Sequence, residues 1–301
     1  MSWNALKKGY KTYLELEKSL ADNSVEAYLR DIDKLTQYLS YENLQLLPKD
    51  IDQERIQHFL AWVHDLGMSA RSQARIISGL RSFYDFLELE NEIRSNPMDL
   101  IETPKIGSKL PDTLSTDDVL AIIDSVDLST SSGTRDKAIL ETLYSCGLRV
   151  SELTTLRISH IYDSDGFVRV VGKGNKERLI PIGRSAIKAI SIYVSAVRNH
   201  QEVHPGHEDF VFLNQRGKAL TRMSIFNIVK RQTALAGIQK KVSPHTFRHS
   251  FASHLVEAGA DLRAVQEMLG HESITTTEIY THLDRDYLRQ ELLDYHPRNK
   301  G

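Results

Sequence analysis

The sequence predicts a mainly α-helical protein of two domains with one small β-sheet. Apolar residues recur at helical spacing along most of the chain, and only the segment 166–182 has the short β-branched runs typical of strands. The chain has 301 residues, and single hydrophobic cores usually stop growing at about 250 to 300 residues. Two cores are therefore expected.

Residues 1–103 are predicted to form an N-terminal bundle of four or five helices. The clearest helix covers 69–89, where one apolar face is formed at helical spacing by Ile76, Ile77, Leu80, Phe83, Tyr84 and Leu87. Further helices are expected at about 6–20, 24–39 and 53–66. Their N-cap candidates are Ser24 or Asn23, and Asp50 or Asp52.

The segment 104–111 is predicted to link the two domains. It contains two prolines and one glycine and interrupts the helical periodicity, which is typical of a connecting segment. The chain is accordingly divided into an N-terminal domain at 1–103, a linker at 104–111 and a second domain at 112–301.

The second domain, 112–301, is predicted to be mixed α and β. Strands at 166–171 and 178–182 are joined by a turn at 172–176, which places Lys173 at or beside the tip of a hairpin. Helices are expected at about 115–125, 134–145, 150–156, 185–198, 221–236, 244–258, 262–269, 273–281 and 284–293. The last of these has an apolar face that could pack on its own domain or on a neighbouring molecule, and the sequence leaves both open.

Composition limits the location and the partners of the protein. The single cysteine, Cys146, excludes an internal disulfide and fits a small buried residue in a reducing cytosol. Without an 18-residue apolar run or an apolar leader, the chain is expected to be cytoplasmic and not bound to a membrane.

The net charge of −2 argues mildly against binding to nucleic acid. Any face that binds DNA must therefore come from local clusters of basic residues. The clusters lie at 169–178, at 240–254 and on one helical face formed by Arg71, Arg75, Ser78 and Ser82, although each alone is also typical of a solvated surface.

Five short motifs supply groups suited to cleaving a phosphodiester. In chain order they are Cys-Gly-Leu-Arg-Val-Ser-Glu-Leu at 146–153, Gly-Lys-Gly at 172–174, His-Thr-Phe-Arg at 245–248, Leu-Gly-His at 269–271, and Tyr280. Two guanidinium groups can bind phosphate oxygens in a bidentate manner, so Arg149 and Arg248 are the expected phosphate clamps. Ser243 and Pro244 are suited to begin a helix whose N-terminus attracts anions and carries His245 and Arg248 on one face.

With these five motifs in this order, the chain resembles the tyrosine recombinase family, and within it the Xer recombinases that resolve chromosome dimers. The resemblance runs from near the N-terminus to about residue 293. It implies a SAM-like helical core-binding domain and a tyrosine recombinase catalytic domain that clamp duplex DNA. It also implies a homo- or hetero-tetramer with a second Xer recombinase on two DNA sites, with a DNA translocase as activator.

The resemblance also implies roles for individual residues. Lys173 is the expected general acid, with Lys176 as the competing candidate, and Tyr280 is the nucleophile that forms a 3′-phosphotyrosine. His245 is expected to accept the proton of the phenol, His271 to donate a hydrogen bond to the phosphate, and Glu152 to orient Arg149. The expected DNA contacts are Arg71, Arg75, Lys176 and Arg178.

The reaction implied needs no cofactor and no metal, because the energy of the broken phosphodiester is kept in the phosphotyrosyl bond. Three alternatives remain open: a mobile-element integrase or invertase with the same chemistry, a metal-dependent hydrolase, and a DNA-binding protein without catalytic activity. The hydrolase would use His245, His249 and His254, which recur along one predicted helix.

Overall fold

The computed structural model describes residues 2–104, 113–172, 176–270 and 282–299, with the backbone alone at 282–284. Over these residues the chain is mainly helical with one three-stranded sheet, so the predicted fold class is confirmed. The chain divides into two compact units, Met1–Lys109 and Leu110–Gly301, each with its own hydrophobic core. The predicted linker beyond Pro104 and the predicted helix at 273–281 lie outside the described residues.

Residues 2–104 of the first unit contain four α-helices, close to the positions that the sequence predicts. They are α1 (Trp3–Leu16), α2 (Asp22–Tyr41), α3 (Gln53–Asp65) and α4 (Ala70–Leu89). Asp52 caps α3 as expected, because its carboxylate accepts the backbone N–H of Arg55 at 2.8 Å. The prediction of Ser24 or Asn23 as the cap of α2 is wrong: the helix begins after Ala21 without a side-chain cap, and both polar residues lie inside its first turn.

The core of the first unit forms around α4. The predicted apolar face of this helix is buried, and its Phe83 ring meets the ring of Tyr10 from α1 edge to face, with centroids 5.2 Å apart. This geometry suits the opposed charge of ring edge and ring face, so it adds to the burial of both side chains. The opposite face of α4 leaves Arg71, Arg75 and Ser78 exposed.

The second unit contains eight helices and three strands within its described residues. The helices are α5 (Thr116–Asp124), α6 (Ser131–Cys146), α7 (Val150–Thr154), α8 (Arg184–Ala196), α9 (Arg222–Leu235), α10 (Pro244–Ala258), α11 (Leu262–Leu269) and α12 (His282–Tyr295). The strands are β1 (Ile161–Tyr162), β2 (Phe167–Val171) and β3 (Glu177–Pro181). None of the described helices has both the length and the apolar character needed to cross a membrane.

The three strands form an antiparallel sheet in the order β1-β2-β3. Val168 on β2 lies opposite Ile180 on β3, and both side chains are fully buried. The hairpin of β2 and β3 agrees with the prediction, whereas β1 was missed because two residues are too few to give an alternating pattern.

Helix α6 is the central element of the second unit. Its residues from Ala138 to Cys146 are all buried, and it packs against α5, α8 and α10. Cys146 is fully buried, as predicted, and burial raises the pKa of its thiol far above the ordinary value. The thiol is therefore protonated and serves as a packing group.

The C-terminal segment packs on its own unit in this structure. Leu288 and Leu292 of α12 are buried in the same core as α6 and α10. Beyond the helix, His296 is fully buried with Nε2 3.2 Å from the carbonyl oxygen of Tyr144, and Arg298 donates to the buried carboxylate of Glu141. Burial lowers the pKa of His296 to about 4, so its ring is neutral.

Candidate active site

The end of α6 and the start of α7 place Arg149. Helix α6 ends at Gly147, whose φ of 57° is a left-handed conformation that glycine adopts without strain. A Cβ at this position would lie 2.4 Å from Cδ1 of Phe251 on α10, so glycine also permits the close approach of the two helices. Two residues later, Arg149 is the N-cap of α7 and its side chain is partly exposed.

Glu152 holds Arg149 at the beginning of α7. Its side chain is 1% exposed, and its Oε2 accepts the backbone N–H of Arg149 at 2.8 Å. Its Oε1 accepts from Nη1 of the same arginine at 2.9 Å. One carboxylate thus fixes both the backbone and the guanidinium of Arg149, which is the geometry that the expected orienting role requires.

Arg178 on β3 binds the same carboxylate and does not fit the expectation of a DNA contact. Its Nη1 donates to Oε1 of Glu152 at 2.8 Å and its Nη2 donates to Oε2 at 3.0 Å, a bidentate pair. The residue is 8% exposed. Its Nε also donates to the carbonyl oxygen of Met268 at 3.3 Å, so all three guanidinium nitrogens of Arg178 are engaged within the protein. This arrangement does not favour the expected contact of Arg178 with DNA.

Arg248 approaches the group from the second turn of α10. Its Nη1 donates to the carbonyl oxygen of Gly147 at 2.7 Å, and the same nitrogen lies 4.0 Å from Oε2 of Glu152. Burial, together with the nearby charge of Arg149, lowers the pKa of Arg248 to about 10. The guanidinium remains fully charged at neutral pH.

These four side chains, which we name the arginine cluster, are Arg149, Glu152, Arg178 and Arg248. Three positive charges face one negative charge, so the cluster carries an excess of two positive charges in a largely buried place. Burial alone would raise the pKa of Glu152, but the hydrogen bonds and charges of Arg178 and Arg149 outweigh it and lower that pKa below its ordinary value. Glu152 is therefore ionised, and the excess positive charge is suited to an anion.

The cluster also binds the carboxyl end of α11. Each of the three arginines donates to one carbonyl oxygen there: Arg178 Nε to Met268 at 3.3 Å, Arg248 Nη2 to Leu269 at 2.5 Å, and Arg149 Nη2 to Gly270 at 2.9 Å. The last carbonyl groups of a helix lack partners within the helix and carry the negative end of its dipole. Three cations at this end are therefore stabilising.

The start of α10 agrees with the sequence-based expectation. The Ser243 side chain accepts the backbone N–H of Thr246, and Pro244 occupies the first turn. His245 is exposed in the same turn, one turn before Arg248 on the same face. Phe247 and Phe251 are fully buried, so the opposite face of the helix supplies its packing.

Lys173, His271 and Tyr280 lie outside the described residues, and their roles stay predictions. The residues that precede two of them in the chain are described and lie beside the cluster. Gly270 accepts a hydrogen bond from Arg149, and a Cβ on Gly172 would lie 3.2 Å from Nη1 of Arg178.

Among the other candidates for DNA contact, Arg71 and Lys176 have exposed side chains. Arg75 is half exposed, and its Nη1 donates to Oδ2 of the buried Asp31 at 2.7 Å. Part of its charge is therefore offset within the first unit.

The alternative of three metal-binding histidines on α10 does not fit the position of His254. Its Nε2 donates to the carbonyl oxygen of Leu114 at 2.8 Å, and its Nδ1 lies 2.8 Å from the hydroxyl of Tyr144. Both ring nitrogens are therefore engaged. Within the described part of the chain, no three His, Cys, Asp or Glu side chains are grouped so that they could hold a metal ion.

The inward position of Arg178 was not predicted, although the sequence of β3 indicates it. Arg178 and Ile180 are two residues apart on a strand and so point to the same face, and Ile180 is fully buried. Because side chains alternate between the two faces of β3, Arg178 is expected to face the interior as Ile180 does. An inward arginine requires a buried partner, which is Glu152.

Comparison with known proteins gives matches along both units. The family described as "Phage integrase family" matches residues 112–286, and "Phage integrase, N-terminal SAM-like domain" matches residues 8–91. The chain is 43% identical over 295 residues to the tyrosine recombinase XerD of Staphylococcus epidermidis, covering 98% of this chain and 99% of that protein. It is 43% identical over 289 residues to XerD of Staphylococcus saprophyticus, covering 96% and 97%.

A solved structure is also similar. It is a post-cleavage complex of the XerH site-specific recombinase bound to a palindromic difH substrate, with a TM-score of 0.70 and 25% identity. The match covers 96% of this chain and 84% of that one.

Proposed function

The chain belongs to the phage integrase family of tyrosine recombinases, enzymes that break and rejoin DNA at specific sites, and on this basis we propose that it resolves chromosome dimers at a dif-like site. The relatives named XerD and the XerH complex with difH support this choice over a mobile-element integrase. The reaction takes place in the cytoplasm, on two duplexes held by four recombinase subunits. The four subunits form a homo-tetramer or a hetero-tetramer with a second Xer recombinase, and a DNA translocase is the proposed activator.

The arginine cluster is the main structural support for the proposed function. Arg149 and Arg248 are held by Glu152 and by backbone carbonyl groups, so their orientation is set before any substrate arrives. Such preorganised cations stabilise the charge that develops on the non-bridging oxygens of a phosphate under attack. The excess of two positive charges suits the two negative charges of the pentacoordinate transition state.

The remaining steps are assigned to four further residues of the motifs that the sequence predicts. The phenolic oxygen of Tyr280 attacks the phosphorus, and His245 accepts its proton. Lys173 protonates the departing 5′-oxygen, and His271 donates a hydrogen bond to the phosphate. The products are a 3′-phosphotyrosyl bond and a free 5′-hydroxyl group. One phosphoester replaces another, so the step is close to isoenergetic and reverses when a new 5′-hydroxyl group attacks.

DNA binding is assigned to exposed basic side chains in each unit. Arg71 and Arg75 on α4, and Lys176 at the hairpin, contact the phosphate backbone in this proposal. The negative net charge of the chain does not oppose it, because affinity for DNA depends on local phosphate contacts.

The proposal is tested by trapping the covalent intermediate. The protein is incubated in EDTA with a nicked duplex carrying a dif-like site, and the DNA joined to protein is separated on a denaturing gel. Tyr280→Phe is expected to abolish the adduct while duplex binding is kept, and Tyr287→Phe, at an exposed tyrosine of α12, is expected to retain it. A wild-type protein that binds the duplex and forms no adduct, either alone or with the second Xer recombinase and the translocase added, would overturn the proposal.

A further inference from the structure

We propose that Arg178 is a positioning residue for strand cleavage, which sets the orientation of Arg149 through Glu152 and fixes the chain at the points that lead into Lys173 and His271. This inference rests on the proposed function and deepens it. Arg178 touches no reacting atom in this account and acts through its neighbours.

The hydrogen bonds of Arg178 are all made inside the protein. Nη1 and Nη2 bind the two oxygens of Glu152, and Nε donates to the carbonyl oxygen of Met268. The residue is 8% exposed, and within the described part of the chain all three of its guanidinium nitrogens have protein partners.

Glu152 transmits the position of Arg178 to Arg149. Oε1 of Glu152 accepts from Nη1 of both arginines, at 2.8 Å from Arg178 and 2.9 Å from Arg149. Oε2 accepts from Arg178 Nη2 at 3.0 Å and from the backbone N–H of Arg149 at 2.8 Å. The bidentate pair therefore fixes the plane of the carboxylate to which Arg149 is bound.

The guanidinium of Arg178 also lies close to two glycines that precede proposed catalytic residues. A Cβ on Gly270 would be 2.9 Å from Cζ of Arg178, and a Cβ on Gly172 would be 3.2 Å from its Nη1. Lys173 follows Gly172 in the sequence, and His271 follows Gly270. One rigid group thus sets the spacing between the hairpin and the end of α11.

A lysine cannot replace this arrangement. Its single ammonium group lacks the planar fork that binds both oxygens of Glu152, and it has no counterpart of the Nε–H that binds Met268. Conservative replacement at this position is therefore expected to impair cleavage although the charge is kept.

The test compares Arg178→Lys and Arg178→Met with the same changes at Arg198. Arg198 is a matched control because it is 6% exposed and also binds backbone carbonyls, at 2.9 Å to Phe210 and 2.5 Å to Glu208, but away from the cluster. Single-turnover cleavage, duplex affinity and melting temperature are measured for each full-length variant.

The Arg178 variants are expected to cleave roughly 10²-fold more slowly with unchanged duplex affinity, because misplacement of a catalytic group by about 1 Å has an effect of this size. The Arg198 variants are expected to melt at lower temperature and to cleave at the wild-type rate per folded molecule. Equal cleavage by the Arg178 and Arg198 variants would overturn the inference. Absence of the wild-type adduct would instead overturn the proposed function.

A pH profile separates positioning from a general loss of stability. Arg178 contributes to the low pKa of Glu152, so Arg178→Met should let burial raise that pKa. Cleavage by Arg178→Met is then expected to fall more steeply than wild-type cleavage as the pH is lowered. Adding Glu152→Gln should remove this extra dependence and slow cleavage by less than the product of the two single effects. Parallel pH profiles and multiplicative effects would contradict a role through Glu152.

Discussion

Arg248 and Gly147 are joined by a hydrogen bond of 2.7 Å from the guanidinium Nη1 to the carbonyl oxygen, which ties α10 to the end of α6. Arg149 follows Gly147 by two residues. Both proposed phosphate clamps are therefore positioned by the same helix end, although they are far apart in the sequence. This connection makes the geometry of Gly147 important for the site as well as for packing.

Replacing Arg248 by alanine is expected to cripple cleavage. Loss of one preorganised cation at the phosphate costs about 3 kcal/mol of transition-state stabilisation, which is roughly a 10²-fold slower reaction. Single-turnover formation of the covalent adduct measures the effect. Arg263→Ala is the control, since that side chain is 74% exposed on α11 and pairs with Glu267 of its own helix at 3.6 Å. Similar rates for the two variants would contradict the role of Arg248.

Gly147→Ala is expected to destabilise the second unit by about 2 to 4 kcal/mol, from the left-handed backbone and the contact with Phe251. Gly237→Ala is the matched control: its φ is 72°, but a Cβ there would have no neighbour within 4 Å. That variant should lose only the backbone contribution, about 1 kcal/mol. Urea unfolding followed by far-ultraviolet circular dichroism distinguishes the two, and equal losses would show that the contact with Phe251 is unimportant.

The elements of the site that follow local rules were predictable from the sequence. Ser243 and Pro244 give the start of α10, and Gly147 gives the end of α6, because capping depends on residues a few positions apart. Alternation along β3 indicates that Arg178 faces inward, but its partners could not be predicted because they are distant in the sequence: Glu152 is 26 residues away and Met268 is 90 residues away. A charged residue between Lys176 and Leu179 is typical of a surface strand until such a buried partner is known.

The C-terminal segment is predicted to contribute to the stability of the second unit through Arg298. Its Nε lies 3.1 Å from Oε2 of Glu141, which is 2% exposed. Arg298→Met would leave a buried carboxylate without its partner, at a cost of about 3 to 5 kcal/mol. The double variant with Glu141→Gln should recover most of the loss, because no unpaired charge remains. Thermal unfolding by circular dichroism measures both, and a double variant no more stable than Arg298→Met would argue against this explanation.

The stability of the first unit is predicted to depend on the ionisation of Asp31. Burial raises the pKa of this carboxyl from 3.8 to about 6, although Arg75 acts in the opposite direction. The folded protein therefore keeps a proton that the unfolded chain has already lost. The stabilising contribution is complete below about pH 4 and is lost as the pH rises through about 6, by up to about 3 kcal/mol.

Tryptophan fluorescence can follow this effect, because both tryptophans, Trp3 and Trp62, lie in the first unit. Urea unfolding measured by fluorescence should show stability falling from pH 4 to about pH 7 in the wild type and in Asp33→Asn. Asp31→Asn should remove this fall. An unchanged pH dependence in Asp31→Asn would assign it to another group.

The binding of one phosphate by both Arg149 and Arg248 is tested most directly by a crystal structure of the Tyr280→Phe protein bound to a duplex that contains its recombination site. Arg149 and Arg248 are both expected to donate hydrogen bonds of about 2.8 Å to the non-bridging oxygens of one phosphate, with Arg178 still bound to Glu152. A complex in which the two arginines contact different phosphates, or none, would contradict this expectation.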